Sequence, residues 1–190
     1  MTFETGGKRP AMPGDPSQHA VTHRMIRVDQ AGEYGARRIY AGQMAVLGHT
    51  RSGPTIRHMA AQEDAHLAAF DKLMVERRVR PTALTPLWHM AGFALGAATA
   101  LMSERAAMAC TTAIEETIDE HYARQRTTLG PDSPYEDGEL LGVIETCHAD
   151  ELEHRDTAYQ HGAAETPGYP VLSGLIKAGA RTAIWLSERV

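Results

Sequence analysis

Two short stretches, Gln62-Glu63-Asp64-Ala65-His66 and Asp150-Glu151-Leu152-Glu153-His154, decide how this chain is read. Apolar residues flank both at helical spacing: Ile56, Met59, Phe70 and Leu73 around the first, Leu140, Ile144, Cys147 and Ala158 around the second. A core-facing stripe of a bundled helix recurs about every 3.5 residues. Extended through these segments, it lands on Glu63 and His66, and on Glu151 and His154, where apolar side chains are expected. Residues i and i+3 of a helix lie on one face with Cβ atoms about 5–6 Å apart, so each glutamate and its histidine can address one target. Two more segments carry a lone carboxylate on the stripe: Ile26, Glu33, Tyr40 and Leu47, and Met108, Thr111, Glu115, Ile118 and Tyr122. Glu116 is one helical step off the stripe that selects Glu115, and Asp64 and Glu153 are likewise off it, facing solvent. Turning the four stripe glutamates outward would turn Ile56, Phe70 and Leu73 outward with them.

The chain order is therefore Glu, Glu-x-x-His, Glu, Glu-x-x-His, a twofold repeated half. Burying such carboxylates together without compensation costs on the order of several kcal/mol per ion. Two divalent cations balance four glutamates and two neutral histidines. Oxygen-rich ligands with one imidazole per metal favour iron or manganese, whereas structural zinc prefers thiolates. The predicted ligands of a two-metal centre are thus Glu33, Glu63, His66, Glu115, Glu151 and His154, the ligand pattern of ferritin-like di-iron carboxylate bundles. Asp150 and Gln62 immediately precede the two motifs, and each is expected to hydrogen-bond the histidine of the facing helix, Asp150 to His66 and Gln62 to His154. Tyr40 and Tyr122 lie a turn or two from the metals, as hydrogen-bond donors or as core filling, with Tyr122 a candidate catalytic residue. His121 and His148 read as ordinary polar residues, Cys110 and Cys147 as small core residues with no activated thiolate.

The remaining organisation is helical, with no apolar/polar alternation of the kind a strand requires. Helices are predicted over 18–48, 54–78, 86–106, 108–129, 135–161 and 170–189, giving an all-α fold: a ferritin-like four-helix bundle with two additional helices, one apolar between the second and third bundle helices and one C-terminal. Residues 1–17, with three prolines, three glycines and no apolar run, read as a disordered tail without signal-peptide or mitochondrial character, and 18–190 as a single domain. Nineteen basic against 24 acidic residues, net −5, argue against general nucleic-acid binding. Two cysteines form no disulfide scaffold and point to a reducing, bacterial cytoplasmic setting. Between Arg80 and Glu104 there is no charged residue. Pro81, Pro86 and His89 argue against a membrane span, leaving a buried core helix or one dipping into a bilayer interface. Gly92, Gly96 and Ala100, four apart, give that helix a smooth contact face. The final helix pairs Val171, Leu172, Leu175, Ile176, Ile184, Trp185 and Leu186 with Lys177, Arg181 and Arg189, reading as a membrane-facing patch, a bundle cap or an oligomer contact.

Residues 25–47, Met-Ile-Arg-Val-Asp-Gln-Ala-Gly-Glu-Tyr-Gly-Ala-Arg-Arg-Ile-Tyr-Ala-Gly-Gln-Met-Ala-Val-Leu, resemble the signature of the demethoxyubiquinone hydroxylases of ubiquinone biosynthesis. So do Arg78-Val-Arg-Pro-Thr82, Pro86-Leu-Trp88, Gly92-Phe-Ala-Leu-Gly96, Ala107-Met-Ala-Cys-Thr111, Glu151-Leu-Glu-His154 and Leu186-Ser-Glu-Arg-Val190, so the likeness spans roughly 22–190. Gln30 departs from it, standing where many relatives carry histidine, and the loop around 130–138 is the other departure. The resemblance places the family's ligands on the same six residues. It implies an O2-dependent di-iron monooxygenase hydroxylating the ring of a polyprenyl demethoxyubiquinone in its quinol form. It also implies an external reductant such as NADH, peripheral attachment to the cytoplasmic side of the bacterial inner membrane, and a lipid-presenting partner protein or homo-oligomer; no nucleic acid is implied. The competing readings are a rubrerythrin-like peroxide reductase or manganese catalase, a ferritin-like iron-binding protein, and a non-catalytic helical protein. The first lacks the rubredoxin Cys-x-x-Cys, the second fits the uncharged 81–103 stretch poorly, and the third does not explain the interrupted stripes.

Overall fold

A computed structural model describes residues 12–190. The expected disordered tail falls mostly on residues 1–11, outside the described residues. The rest of it forms a turn, closed by the Met12 amide on the Asp15 carboxylate at 2.9 Å, that leads into a helix capped by Ser17. The elements are α1 (Gln18–Leu47), α2 (Gly53–Glu76), α3 (Thr85–Met102), α4 (Glu104–Leu129), α5 (Gly138–Gln160), a 3-10 turn (Ala163–Glu165) and α6 (Tyr169–Ser187), and no strand occurs among the described residues. α1 packs on α2 and α4 on α5, α3 lies along α1, and α6 lies along α4. The four bundle helices and two additional helices of the sequence reading are all present.

The boundary between α3 and α4 differs from the predicted one. Ser103 is fully extended (φ −178°, ψ 166°), and its hydroxyl accepts a hydrogen bond from the Ala106 amide at 3.0 Å. A serine N-cap followed by an acid in the first turn is a helix start, so α4 begins at Glu104 and α3 stops at Met102. α5 likewise begins at Gly138, not 135, because Asp137 caps it through the Leu140 amide at 3.1 Å.

Asp137 also ties two bundle helices together. Arg77, at the end of α2, donates to both Asp137 carboxylate oxygens and to Glu139 at 2.6 Å. Partial burial raises the Asp137 carboxyl, but the Arg77 guanidinium and the Leu140 amide outweigh it and hold the group below its ordinary 3.8. A depressed folded value means stabilisation that is complete above 3.8 and lost as pH falls through the folded value. Asp137→Ala should therefore cost about 0.5–2 kcal/mol at neutral pH in urea unfolding. The gap to wild type should close as the solution is acidified below the ordinary aspartate range.

Backbone contact seats α3 on α1. A Cβ on Gly96 would lie 1.9 Å from the Ile39 carbonyl oxygen, and one on Gly42 would lie 2.2 Å from that of Phe93. This contact accounts for the four-residue spacing of Gly92, Gly96 and Ala100. α3 buries only Gly92, Gly96, Thr99 and Ala100, so it is not the fully buried core helix that was one of its two readings. Leu87, Met90, Phe93, Leu101 and Met102 face outward. No helix of the described residues is long and apolar enough to cross a membrane.

Candidate metal centre

The interruptions of the apolar stripes meet in the middle of the bundle. Glu33 comes from α1, Glu63 and His66 from α2, Glu115 from α4, and Glu151 and His154 from α5, and none is more than 3% exposed. Their donor atoms form two sets, Glu33, Glu63, His66 and Glu151, and Glu63, Glu115, Glu151 and His154, each with all atoms within 4.8 Å of one another. Glu63 and Glu151 belong to both sets. His66 Nδ1 lies 3.2 Å from Glu151 and 3.5 Å from Glu33, and His154 Nδ1 lies 3.1 Å from Glu151 and 3.3 Å from Glu63.

The far nitrogen of each ring faces across the bundle. His66 Nε2 is 2.9 Å from Asp150 Oδ2, and His154 Nε2 is 3.0 Å from Gln62 Oε1. Both partners are acceptors, so Nε2 carries a hydrogen, and once a cation displaces any second ring proton the Nδ1 lone pair would point inward. Tyr40 donates to Glu115 Oε1 at 3.0 Å, and Tyr122 donates to Glu33 Oε1. Burial, reinforced by those carboxylates, pushes both phenols well above their ordinary value, so they stay protonated donors.

Glu33 Oε2, both Glu63 oxygens, His66 Nδ1, Glu115 Oε2 and Glu151 Oε1 are buried without a hydrogen-bond partner. Buried polar atoms are nearly always satisfied, so this concentration of inward-facing lone pairs calls for a cation. Each set offers three carboxylates and one imidazole, a donor set that fits a divalent ion of the iron or manganese kind. Without one, the cluster must hold protons. Burial first, then neighbouring charge, pushes Glu63 and Glu115 well above the ordinary carboxylate range, and burial raises Glu33 as well. Glu151, although buried, is held down to about 2 by the imidazoles of His154 and His66 beside it. Against its own desolvation, His66 is raised to about 11 by Glu151 and Glu33. Cation binding would exchange those protons for metal charge.

Other polar residues near the cluster differ from their sequence reading. His121 and His148, read as ordinary polar residues, are buried. His121 Nε2 lies 3.0 Å from Asp29 Oδ1, which also accepts from Gln125 at 2.8 Å, and His148 Nε2 lies 2.6 Å from Asp119. Stepping by seven along α1 reaches residues 26, 33, 40 and 47 but skips the interleaved core positions 29, 36 and 43. These hold Asp29, Ala36 and Gln43, all buried. Glu116, off the stripe as expected, is partly buried and pairs with Lys177 and Tyr159, tying α6 to α4. Asp64 and Glu153 face solvent. Gln30 donates to Asp71 at 2.9 Å and takes no part in the cluster.

A cavity of about 560 Å³ opens between α1, α3, α4 and α6. Val28, Ile39, Ile118, Leu172 and Ile176 are among its walls, and Gly32 and Ile114, also in the wall, adjoin Glu33 and Glu115 in the chain.

Fold and site together define an all-α bundle protein of the ferritin-like kind, with a buried carboxylate–histidine cluster able to hold metal. The chain belongs to the ubiquinone biosynthesis protein COQ7 family, whose family model matches residues 20–187. It is 57% identical over 194 residues to the 3-demethoxyubiquinol 3-hydroxylase of Rhodospirillum rubrum, covering 100% of this chain and 90% of that protein. It is 54% identical over 176 residues to the human mitochondrial NADPH-dependent 3-demethoxyubiquinone 3-hydroxylase, covering 93% and 81%. To the mitochondrial 5-demethoxyubiquinone hydroxylase of Saccharomyces cerevisiae it is 44% identical over 187 residues, covering 92% and 80%. The family that the residues resembled is the family found.

Proposed function

We propose that this chain is a monooxygenase that hydroxylates the ring of a demethoxyubiquinol, using O2 at two iron ions held by Glu33, Glu63, His66, Glu115, Glu151 and His154. The observation that carries this reading is the pair of four-residue donor sets sharing Glu63 and Glu151, in a chain 57% identical to a named 3-demethoxyubiquinol 3-hydroxylase. The shared carboxylates would serve both ions, while Glu33 with His66 and Glu115 with His154 would each serve one. When bound, the ions supply one-electron redox and Lewis-acid chemistry. Asp150 and Gln62 fix the imidazole tautomers, and Tyr122 and Tyr40 hold one oxygen each of Glu33 and Glu115. Asp150→Ala should weaken metal binding about 10-fold to 100-fold while leaving the helical fold intact. Competition with a chelator of known affinity, alongside circular dichroism, checks it, and wild-type affinity in the variant would contradict it. Electrons come from an external nicotinamide; the human relative's name specifies NADPH.

The cavity suits the prenyl tail of such a quinol. Gly32 and Gly35 on α1 and Gly179 on α6 face it, and a Cβ on any of them would meet nothing within 4 Å. A glycine inside a helix costs about 1 kcal/mol relative to alanine, and no contact among the described residues requires these three. The cleared space is matched to a branched apolar chain. Gly179→Leu should therefore raise KM for a long-tailed substrate, leaving kcat for a tail-less ring analogue and the metal content unchanged. Equal KM values for the long tail in both proteins would contradict this.

The outward apolar residues of α3 (Leu87, Met90) and α6 (Val171, Leu175, Trp185), flanked by Arg181 and Arg189, form the surface proposed to meet the bilayer that holds the tail. The proposed setting is a peripheral one, on the cytoplasmic face of the inner membrane. O2 consumption by iron-loaded protein with a demethoxyquinol and a nicotinamide reductant tests the function. Hydroxylated quinol formed in step with O2 use is expected; peroxide turnover without quinol oxidation would instead favour the peroxide-reductase reading.

A further inference from the structure

The two halves of the centre are not chemically equal. Cys147 precedes Glu151 by one helical turn and is 2% exposed. Its Sγ, a Glu33 carboxylate oxygen and an imidazole nitrogen of His66 all lie within 4.8 Å of one another. Glu33 Oε2 and His66 Nδ1 are among the buried atoms without a hydrogen-bond partner, so both residues keep an unused lone pair. The His154 set contains no sulfur. Cys110, the other cysteine, packs with Ile39, Ala113 and Ile176 and belongs to neither set.

We propose that Glu33, His66 and Cys147 form an alternative site for a thiophilic divalent cation, Zn²⁺ foremost, at the His66 half of the centre. The inference rests on the cluster being a metal centre, but not on the iron or the hydroxylase activity proposed above. Zinc takes mixed sulfur, imidazole and carboxylate ligands, with Zn–S of about 2.3 Å and Zn–N and Zn–O of about 2.0–2.2 Å. The sulfur set supplies three ligands, and Glu151 belongs to the His66 set but not to this one, so a fourth position would fall to water. The exchange balances without electron transfer: Zn²⁺ takes the place of the thiol proton, an S–H bond breaks, a Zn–S bond forms, and H⁺ leaves to solvent. A hard, oxygen-preferring ion gains little from the sulfur, whereas a soft one gains a strong bond. Zinc has no redox chemistry, so on the function proposed above, and only there, one such ion per chain would block a centre that needs two redox-active ones. Cys147 thus makes this chain sensitive to zinc at a defined place.

Metal-stripped full-length protein titrated with Co²⁺, a spectroscopic stand-in for Zn²⁺, tests this without turnover. Wild type and Cys110→Ser should develop a near-ultraviolet thiolate-to-cobalt charge-transfer band that added Zn²⁺ removes. Cys147→Ser should lose the band while still binding cobalt through its carboxylates and imidazoles. A band that persists in Cys110→Ser assigns the sulfur to Cys147, so the result does not depend on Cys147→Ser folding. Cobalt bound by wild type without the band overturns the inference and leaves the metal-centre reading standing. No cobalt bound by wild type overturns both.

Discussion

Glu63→Gln is expected to move stability in opposite directions with and without metal. Glu63 is fully buried and belongs to both donor sets, so losing its charge would take an anionic ligand from both proposed ions at once. Metal content should fall below two ions per chain. Turnover should drop by more than the roughly 10-fold to 100-fold loss expected when only a ligand's hydrogen-bond partner is removed. In metal-free protein the same change should stabilise. Burial, with Glu151, Glu33 and Glu115 nearby, pushes the Glu63 carboxyl well above its ordinary 4.5. A folded-state value above the unfolded one means the native state binds more protons, so stability falls as pH rises from 4.5 toward the folded value. A neutral isostere removes that penalty. Metal-free Glu63→Gln should thus unfold at a higher temperature than metal-free wild type at pH 8, with the difference shrinking toward pH 5. Iron should raise the melting temperature of wild type far more than that of the variant. A variant less stable than wild type in both states would mean the carboxylate has a partner inside the protein that the cluster geometry does not show.

The second large effect lies at the seam between α1 and α3. A methyl group on Gly96 has to occupy space 1.9 Å from the Ile39 carbonyl oxygen and 2.8 Å from its carbon. Backbone cannot yield as a side chain does, so α3 must separate from α1. Overpacking of ordinary cores costs about 1–3 kcal/mol and occasionally more; Gly96→Val should lie at or beyond the top of that range in urea unfolding. Gly35→Ala, on the facing helix α1 with nothing within 4 Å of the added carbon, is the control. It should be neutral or stabilising by up to about 1 kcal/mol, because only helix propensity changes. Comparable losses from both substitutions would mean that close backbone approach does not seat α3.

The six stripe residues were legible because burying a charged side chain at a core position is costly, so an interruption of an apolar stripe stands out. Asp150 and Gln62 could be placed opposite the histidines because each directly precedes a motif residue on the neighbouring helix face. Asp29, His121 and Gln125 were not legible as a buried group, since three polar residues with no apolar frame of their own look like a solvated face until α1 meets α4. The start of α4 was carried by Ser103 and Glu104, but an uncharged run beforehand masked it. The exposed face of α3 follows from glycine contacts that let one side of the helix sit on α1 backbone and leave the other unpartnered. The nearness of Cys147 to Glu33 and His66 depends on how α1, α2 and α5 approach one another, which spacing along one helix does not specify.

Crystals of iron-loaded protein measured at the iron absorption edge test the central claim most directly. Two anomalous peaks per chain are expected inside the bundle, one contacted by Glu33 and His66, the other by Glu115 and His154, both flanked by Glu63 and Glu151. Iron-replete crystals with no peak among these residues, or with iron only at the protein surface, would contradict it.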